Sequence, residues 1–173
     1  MTKNFATLDA STNFDIREGF CRALDFCGAK IKTDRSEVIR LLQRGNKAAH
    51  SNFRYGLAKK IGEYLGSFSN NLSEIYIHGS AAKNSSGPGS DIDIILLLEN
   101  KLDPFQLLLF KLNDEVEFYY NELMQSNYFK GDFSPFLDIK LVDREEIELN
   151  RGFGTVINSL HYRPIKIWCN KDN

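Results

Sequence analysis

The 173-residue chain has few cysteines and no long apolar run, and both scarcities exclude classes of protein. Its three cysteines, Cys21, Cys27 and Cys169, are an odd number at no metal-ligand spacing, which favours reduced thiols over disulfides or a zinc site. The first residues contain no apolar stretch that resembles a signal peptide. The longest apolar stretch, residues 92–98, is far shorter than the roughly 20 residues that cross a bilayer. We therefore expect a cytoplasmic protein without a membrane span.

The chain also has almost no net charge, although its charges are unevenly distributed. Its 22 basic and 23 acidic residues give a net charge of −1, which argues against general attraction to nucleic-acid phosphates. Residues 30–60 contain nine basic and two acidic residues, whereas residues 99–150 contain twelve acidic and five basic residues. The preferred interpretations are a solvated helix face or complementarity, within the chain or between subunits of a homo-oligomer. Nucleic-acid binding by residues 30–60 is the third alternative, and it predicts a steep salt dependence.

At 42% hydrophobic and 26% charged residues, the chain has the composition of one folded domain. Periodicity predicts a helix after Asp34, whose spacing to Glu37 is typical of a capped helix start. It predicts another over residues 52–65, where apolar residues at steps of four form one buried stripe, namely Phe53, Leu57, Ile61 and Leu65. Arg40, Arg44 and Lys47 are expected to lie on one face of the first of these helices, since residues four and seven apart are neighbours there. Further helices are predicted from Asp103-Pro104 to about residue 126 and over residues 144–160, and strands over residues 75–77, 91–98, 136–142 and 165–168.

The most informative segment is residues 78–93. A predicted strand leads to Gly79-Ser80, where small residues let the backbone approach a ligand and the following turn presents free N–H groups, as a phosphate site requires. Asp91 and Asp93 begin the next strand, and alternation places both side chains on the same face. Two neighbouring carboxylates repel each other unless a cation lies between them. His78 precedes this motif, and we expect it to be a packed histidine rather than a ligand contact.

A third carboxylate, Asp138, interrupts the apolar strand over residues 136–142 on the same face as Lys140. If that strand lies beside residues 91–98, three carboxylates converge on one or two ions. Mg²⁺ prefers such oxygen ligands, and a two-metal site supports in-line displacement at phosphorus. Asp143 is the competing third carboxylate, but it lies at the end of the strand on the other face, so we expect it to be in solvent.

Together, Gly79-Ser80, the Asp91-x-Asp93 motif twelve residues after the glycine, and the later Asp138 resemble the nucleotidyltransferase superfamily typified by DNA polymerase beta. The likeness covers about residues 51–168 and is greatest to the minimal nucleotidyltransferases, which include antitoxin-type proteins and small antibiotic adenylyltransferases. This resemblance implies an α/β nucleotidyltransferase fold, with a small mixed sheet covered by helices.

The resemblance also implies a role for each motif residue. Asp91 and Asp93 would bind the metal ions, and Asp138 would bind one of them and deprotonate the acceptor. Gly79 and Ser80 would hold the triphosphate. Lys83 and Ser90 would have secondary roles, contacting phosphate or ordering the loop. Minimal members usually carry arginine where this chain has Lys83 and glycine where it has Asn84, so a bidentate phosphate contact becomes a point charge.

The function implied is Mg²⁺-dependent transfer of a nucleoside monophosphate, AMP from ATP, to an acceptor hydroxyl with release of pyrophosphate. Residues 51–173 would form the nucleotidyltransferase domain, and residues 1–50 a helical extension without a recognised counterpart. Relatives generally hold the acceptor with a large second domain, which the 30 residues after Asp143 do not provide. The helical extension, a second subunit or an acceptor protein would replace it. A partner protein is the preferred acceptor, and the alternatives are a small molecule or a nucleotide-binding or partner-binding module with weak activity.

Overall fold

The computed structural model describes residues 14–69, 71–99, 105–125 and 135–170 as a mixed arrangement of helices and strands. The elements follow one another as α1 (Ile16–Ile31), α2 (Arg35–Gln43), α3 (Lys47–Gly66), β1 (Leu72–Ile77), α4 (Gly79–Ala82), β2 (Ile92–Leu98), α5 (Phe105–Met124), β3 (Leu137–Asp143), α6 (Arg144–Glu148), α7 (Gly154–Ile157) and β4 (Ile165–Cys169). This confirms the expected α/β class. No helix within the described residues combines the length and apolar character that a membrane crossing needs.

The first three helices are separated by polar caps. Asp34 caps α2 by accepting a hydrogen bond from the Glu37 N–H at 2.9 Å, which confirms the predicted helix start. The helix ends at Gln43, and Gly45 takes a left-handed φ of +74° before Asn46 caps α3. The prediction that Arg40, Arg44 and Lys47 lie on one helix face is therefore wrong, because the turn at Gly45 places Lys47 on the next helix.

The central helix is α3, and the predicted helix over residues 52–65 lies entirely within it. The predicted apolar stripe is fully buried and consists of Phe53, Leu57, Ile61 and Leu65. Helix α1 packs against it, with the rings of Phe20 and Phe53 5.5 Å apart. The division into residues 1–50 and 51–173 stays a prediction, although α3 begins before that boundary at Lys47.

The strands form one sheet with the order β3-β2-β1-β4. Strand β1 is antiparallel to both of its neighbours, whereas β2 and β3 run parallel and are connected through α5. All four strands contain the segments predicted for them apart from a residue at some ends, and α5 confirms the predicted long helix. The predicted helix start at Asp103-Pro104 lies outside the described residues. Because β3 is parallel to β2, the first residues of both strands lie at the same end of the sheet.

The two faces of the sheet are packed differently. Alternate residues of β2 at Ile92, Ile94 and Leu96 join the helix-side core, while Ile95 and Leu97 join a smaller cluster on the opposite face. Asp93 lies on the same face of the sheet as Ile95, so its carboxylate faces away from the large helices. This leaves the carboxylates on the less covered face of the sheet.

The segment after β3 departs from the prediction of one helix over residues 144–160. It forms two short helices, α6 and α7, because the backbone takes left-handed φ values of +51° at Asn150 and +49° at Gly152. Asp143 is also not a free solvent-exposed carboxylate. It caps α6 in a reciprocal capping box with Glu146, in which each side chain bonds the other residue's backbone N–H.

Candidate metal centre

The three carboxylates at the start of β2 and β3 converge. In the parallel pairing, Asp93 of β2 lies directly opposite Asp138 of β3, and Asp91 immediately precedes β2. Each of the three offers an oxygen, and these oxygens all lie within 4.8 Å of one another. All three residues are half-buried. The pattern that the sequence placed on two separate strands therefore forms one cluster.

The electrostatics of this cluster reflect crowding of like charges. Burial raises the pKa of Asp93 above its usual range, and the nearby carboxylates of Asp91 and Asp138 raise it further. His78 and Lys140 oppose this rise. The Lys140 ammonium lies 2.7 Å from an Asp138 carboxylate oxygen, so it neutralises part of the cluster. A cation placed among the three oxygens would relieve the remaining repulsion.

Gly79 lies against Asp93 so closely that no larger residue fits. A Cβ atom at this position would stand 1.8 Å from Asp93 Oδ2, and the backbone has a left-handed φ of +64°. The glycine thus begins α4 at the border of the carboxylate cluster. The next residue, Ser80, has its hydroxyl 3.1 Å from the Ser86 hydroxyl, which ties α4 to the loop before Asp91.

The other two predicted nucleotide contacts, Lys83 and Ser90, border the same loop. The Ser90 hydroxyl accepts a hydrogen bond from the Gly87 N–H at 2.9 Å, so this side chain orders the turn that leads to Asp91. The Lys83 ammonium lies 4.3 Å from the centre of the Tyr162 ring, a cation–π contact. Asn84 has a φ of +56°, a left-handed conformation that asparagine tolerates better than most residues. Glycine adopts the same left-handed conformation most easily.

His78 is half-buried and lies just after the end of β1. It follows β1 directly as the first cap residue of α4, and its ring centre is 6.4 Å from that of Phe153. The His78 backbone N–H donates to the Asp93 carbonyl oxygen at 3.1 Å, which places His78 beside the cluster. The Lys140 ammonium also faces the Phe153 ring, at 5.4 Å. Phe153 therefore borders the cluster. The prediction of a single helix over residues 144–160 did not include this position for Phe153.

Arg54 also borders the site, although in the sequence it is only one charge of the basic segment over residues 30–60. The side chain is fully buried, and its guanidinium bonds the carbonyl oxygens of Pro88 and Ser90 just before Asp91. The signal in the sequence that indicates a buried Arg54 is its helical spacing from neighbouring residues of α3. Arg54 follows His50 by four residues and precedes Ala58 by four, and all three are buried on α3.

A protein-family model described as polymerase beta, nucleotidyltransferase, matches residues 59–148, just over half of the chain. The matched range includes Gly79 and all three carboxylates of the cluster. No curated protein matches the sequence.

Two solved structures resemble this one. A candidate nucleotidyltransferase from Sulfolobus solfataricus, solved at 1.40 Å resolution, is 23% identical, with 75% of this chain and 93% of that chain covered and a TM-score of 0.40. A toxin–antitoxin structure with AMP-PNP is 22% identical, with coverages of 66% and 73% and a TM-score of 0.33.

Proposed function

Since the chain belongs to the polymerase beta nucleotidyltransferase family, we propose that it transfers AMP from ATP to a hydroxyl group and releases pyrophosphate. The observation that carries this proposal is the cluster of Asp91, Asp93 and Asp138, whose oxygens lie within 4.8 Å of one another. A pure binding protein gains nothing from three mutually repelling carboxylates. A nucleotidyltransferase needs them, because the triphosphate is delivered with divalent cations.

The donor set fits Mg²⁺. All three side chains offer hard carboxylate oxygens on half-buried residues, the ligand type that Mg²⁺ prefers together with water and phosphate oxygens. Asp91, Asp93 and Asp138 would hold one or two ions. Bound there, Mg²⁺ would supply positive charge to the phosphate oxygens during an in-line displacement.

The remaining steps belong to the protein's own residues. The oxygen of the acceptor hydroxyl forms a bond to the α-phosphorus of ATP as the bond between that phosphorus and the oxygen bridging to the β-phosphate breaks. Asp138 accepts the hydroxyl proton, and pyrophosphate leaves. Gly79 and Ser80 hold the triphosphate at the start of α4, where the first N–H groups have no partner within the helix. Lys83 and Ser90 act as secondary contacts, with Ser90 ordering the loop.

We propose a protein hydroxyl as the acceptor. The carboxylates lie on the sheet face away from the large helices, and the Asp138 side chain is 29% exposed although it is ion-paired. A group carried by another protein can therefore reach it. A small-molecule acceptor is the alternative, and the experiment below separates the two.

The test incubates the purified chain with Mg²⁺ and ATP labelled at the α-phosphate, alone and with cell lysate. Transfer is expected to place the label on a protein band in a denaturing gel. The double variant Asp91→Asn, Asp93→Asn should transfer no label, and its melting temperature should be unchanged or higher because charge repulsion is removed.

The matched control is the double variant Asp114→Asn, Glu122→Gln, which removes two exposed carboxylates of α5 and should transfer label like the wild type. If the label migrates with small molecules instead, the acceptor is a small molecule and not a protein. Full transfer by the Asp91→Asn, Asp93→Asn variant would refute the site itself.

A further inference from the structure

Arg54 is fully buried on α3 and directs its guanidinium at the loop before Asp91. Its Nε and Nη2 atoms both donate to the carbonyl oxygen of Ser90, at 2.9 and 2.7 Å. Nη2 also lies 3.0 Å from the carbonyl oxygen of Pro88. The planar fork of arginine can hold such a pair of carbonyls in one geometry, which a lysine ammonium does not.

The guanidinium has no carboxylate within ion-pair distance among the described residues. Its remaining partners are neutral: Nη1 lies 2.8 Å from His50 Nδ1, and Nη2 lies 2.8 Å from the Tyr120 hydroxyl. Burial, together with the Arg54 charge, lowers the pKa of His50 to about 4, so His50 stays uncharged at neutral pH. A buried charge without an ion-pair partner is costly to folding. Arg54 carries this cost while it contacts the loop before Asp91, which points to a task beyond stability.

The contact to Ser90 bears directly on Asp91. The Ser90 carbonyl and the Asp91 nitrogen share one planar peptide unit, so fixing the carbonyl fixes the direction in which the chain enters Asp91. On the other side, the Ile92 N–H donates to the Phe136 carbonyl at 2.8 Å. Asp91 is therefore held from both ends.

Arg54 also contacts the segment that leads to Asp138. Its guanidinium lies 5.0 Å from the centre of the Tyr120 ring and 5.4 Å from that of Phe136, and these two rings stack at 4.3 Å. Phe136 precedes Asp138 by two residues. The Tyr120 hydroxyl in turn donates to the Pro88 carbonyl at 2.8 Å. The buried Arg54 side chain thus contacts both the segment that leads to Asp91 and the segment that leads to Asp138.

We propose that Arg54 is a positioning residue for the carboxylate cluster, holding the Ser90–Asp91 peptide and the entry to β3 in the arrangement that binds a divalent cation. This inference rests on the proposed function. It adds a residue outside the motif, and outside the segment that the family model matches, to the machinery of the site.

The test measures Mn²⁺ binding by the full chain with isothermal titration calorimetry. Arg54→Met keeps a long side chain but removes the fork, and should weaken Mn²⁺ binding about 10-fold or more, as loss of groups that orient metal ligands typically does. Arg54→Lys should give an intermediate affinity. Tyr120→Phe removes only a hydroxyl, keeps the ring packing, and should weaken binding several-fold.

Leu65→Ala is the matched control for lost stability. Leu65 is fully buried on the last turn of α3, eleven residues or about 16 Å along the helix from Arg54. This variant should melt at a lower temperature and bind Mn²⁺ like the wild type. In the transfer assay, Arg54→Lys should lower kcat and leave the KM for ATP nearly unchanged, because Arg54 is fully buried and does not reach the surface at which ATP would bind.

The outcomes separate the two proposals. Wild-type Mn²⁺ affinity in folded Arg54→Met would overturn the positioning role and leave the proposed function intact. If Arg54→Met does not fold, Tyr120→Phe decides, and wild-type affinity in that variant would overturn the role. If the wild type binds no Mn²⁺ and transfers no label, the proposed function fails and the positioning role fails with it. If it transfers label without binding Mn²⁺ by itself, only the positioning role fails, because the metal then arrives with ATP.

Discussion

Gly79 shows how a single atom constrains the cluster, because a Cβ there would overlap the Asp93 carboxylate. We expect Gly79→Ala to displace Asp93 and to abolish AMP transfer. The left-handed φ of +64° should add a loss of roughly 1–2 kcal/mol in the free energy of unfolding. Urea denaturation and the label-transfer assay measure the two effects.

Gly87→Ala is the control for this prediction. A Cβ at Gly87 meets no atom within 4 Å, although Gly87 lies in the loop that leads to the same cluster. This variant should keep both its stability and its activity. Equal activity in Gly79→Ala and Gly87→Ala would show that Asp93 tolerates displacement, contrary to its assigned role.

The raised pKa of Asp93 predicts how stability depends on pH. The folded protein binds this proton more tightly than the unfolded chain, so ionisation of Asp93 lowers the free energy of unfolding. The loss is absent well below the ordinary pKa near 3.8 and complete once the pH exceeds the raised folded-state value. In the presence of a chelator, Asp93→Asn should therefore melt at a higher temperature than the wild type at pH 7.

This difference in melting temperature between Asp93→Asn and the wild type should shrink as the pH falls towards 3.8. Asp114→Asn, which changes an exposed carboxylate on α5, should show no comparable trend. A lower melting temperature for Asp93→Asn at pH 7 would mean that the carboxylate is stabilised by its neighbours rather than repelled. Differential scanning calorimetry over that pH range measures the effect.

At the scale of elements, the close contact of α3 with β4 depends on glycine. A Cβ at Gly66 would lie 2.2 Å from the ring of Trp168, whereas a Cβ at Gly62, one turn earlier, would lie 3.5 Å from Ile75. We expect Gly66→Ala to force the indole from its place and to cost about 1–3 kcal/mol of stability. Gly62→Ala should be neutral or stabilising by up to about 1 kcal/mol, because alanine favours a helix interior.

The paired variants share one helix and one type of substitution, so their difference reports the contact with Trp168 alone. Thermal denaturation measures it, and a red shift of tryptophan fluorescence in Gly66→Ala would report exposure of the indole. Similar melting temperatures for both variants would show that α3 and β4 can separate without cost.

At the scale of the whole molecule, only part of the basic segment over residues 30–60 is available as a cationic surface. Arg54 is buried, and three further basic residues pair with acids at 2.5–2.8 Å, namely Arg35 with Asp25, Arg40 with Glu37, and Lys60 with Glu63. These contacts favour complementarity within the chain over a surface for phosphates. The whole-chain charge of −1 adds no long-range attraction.

We therefore predict that the protein does not bind a fluorescent 20-base-pair DNA duplex at 150 mM salt. Fluorescence anisotropy at about 50, 150 and 200 mM salt measures this. Binding that weakens by orders of magnitude between these concentrations would restore nucleic-acid recognition, since displacement of counterions from several phosphates gives such a dependence.

Local signals in the sequence were sufficient for much of this fold. The apolar spacing from Phe53 to Leu65 predicted the core face of α3, and Asp34 predicted the start of α2, because periodicity and capping depend on residues a few positions apart. The same reasoning failed after Asp143, where left-handed backbone at Asn150 and Gly152 breaks the expected helix. Asparagine and glycine permit that conformation without requiring it, so packing decided it.

The sequence by itself determined the kind of protein: a motif of Gly79, Asp91, Asp93 and Asp138 on elements of a mixed sheet, sufficient to indicate its family. Only the tertiary structure decided that Asp93 and Asp138 face each other across parallel strands, since register depends on pairing between segments distant along the chain. It also decided that Arg54 is a buried anchor rather than a surface charge. A charge reads the same in a sequence wherever it lies, and only the fold determines whether water or the carbonyls of Pro88 and Ser90 surround it.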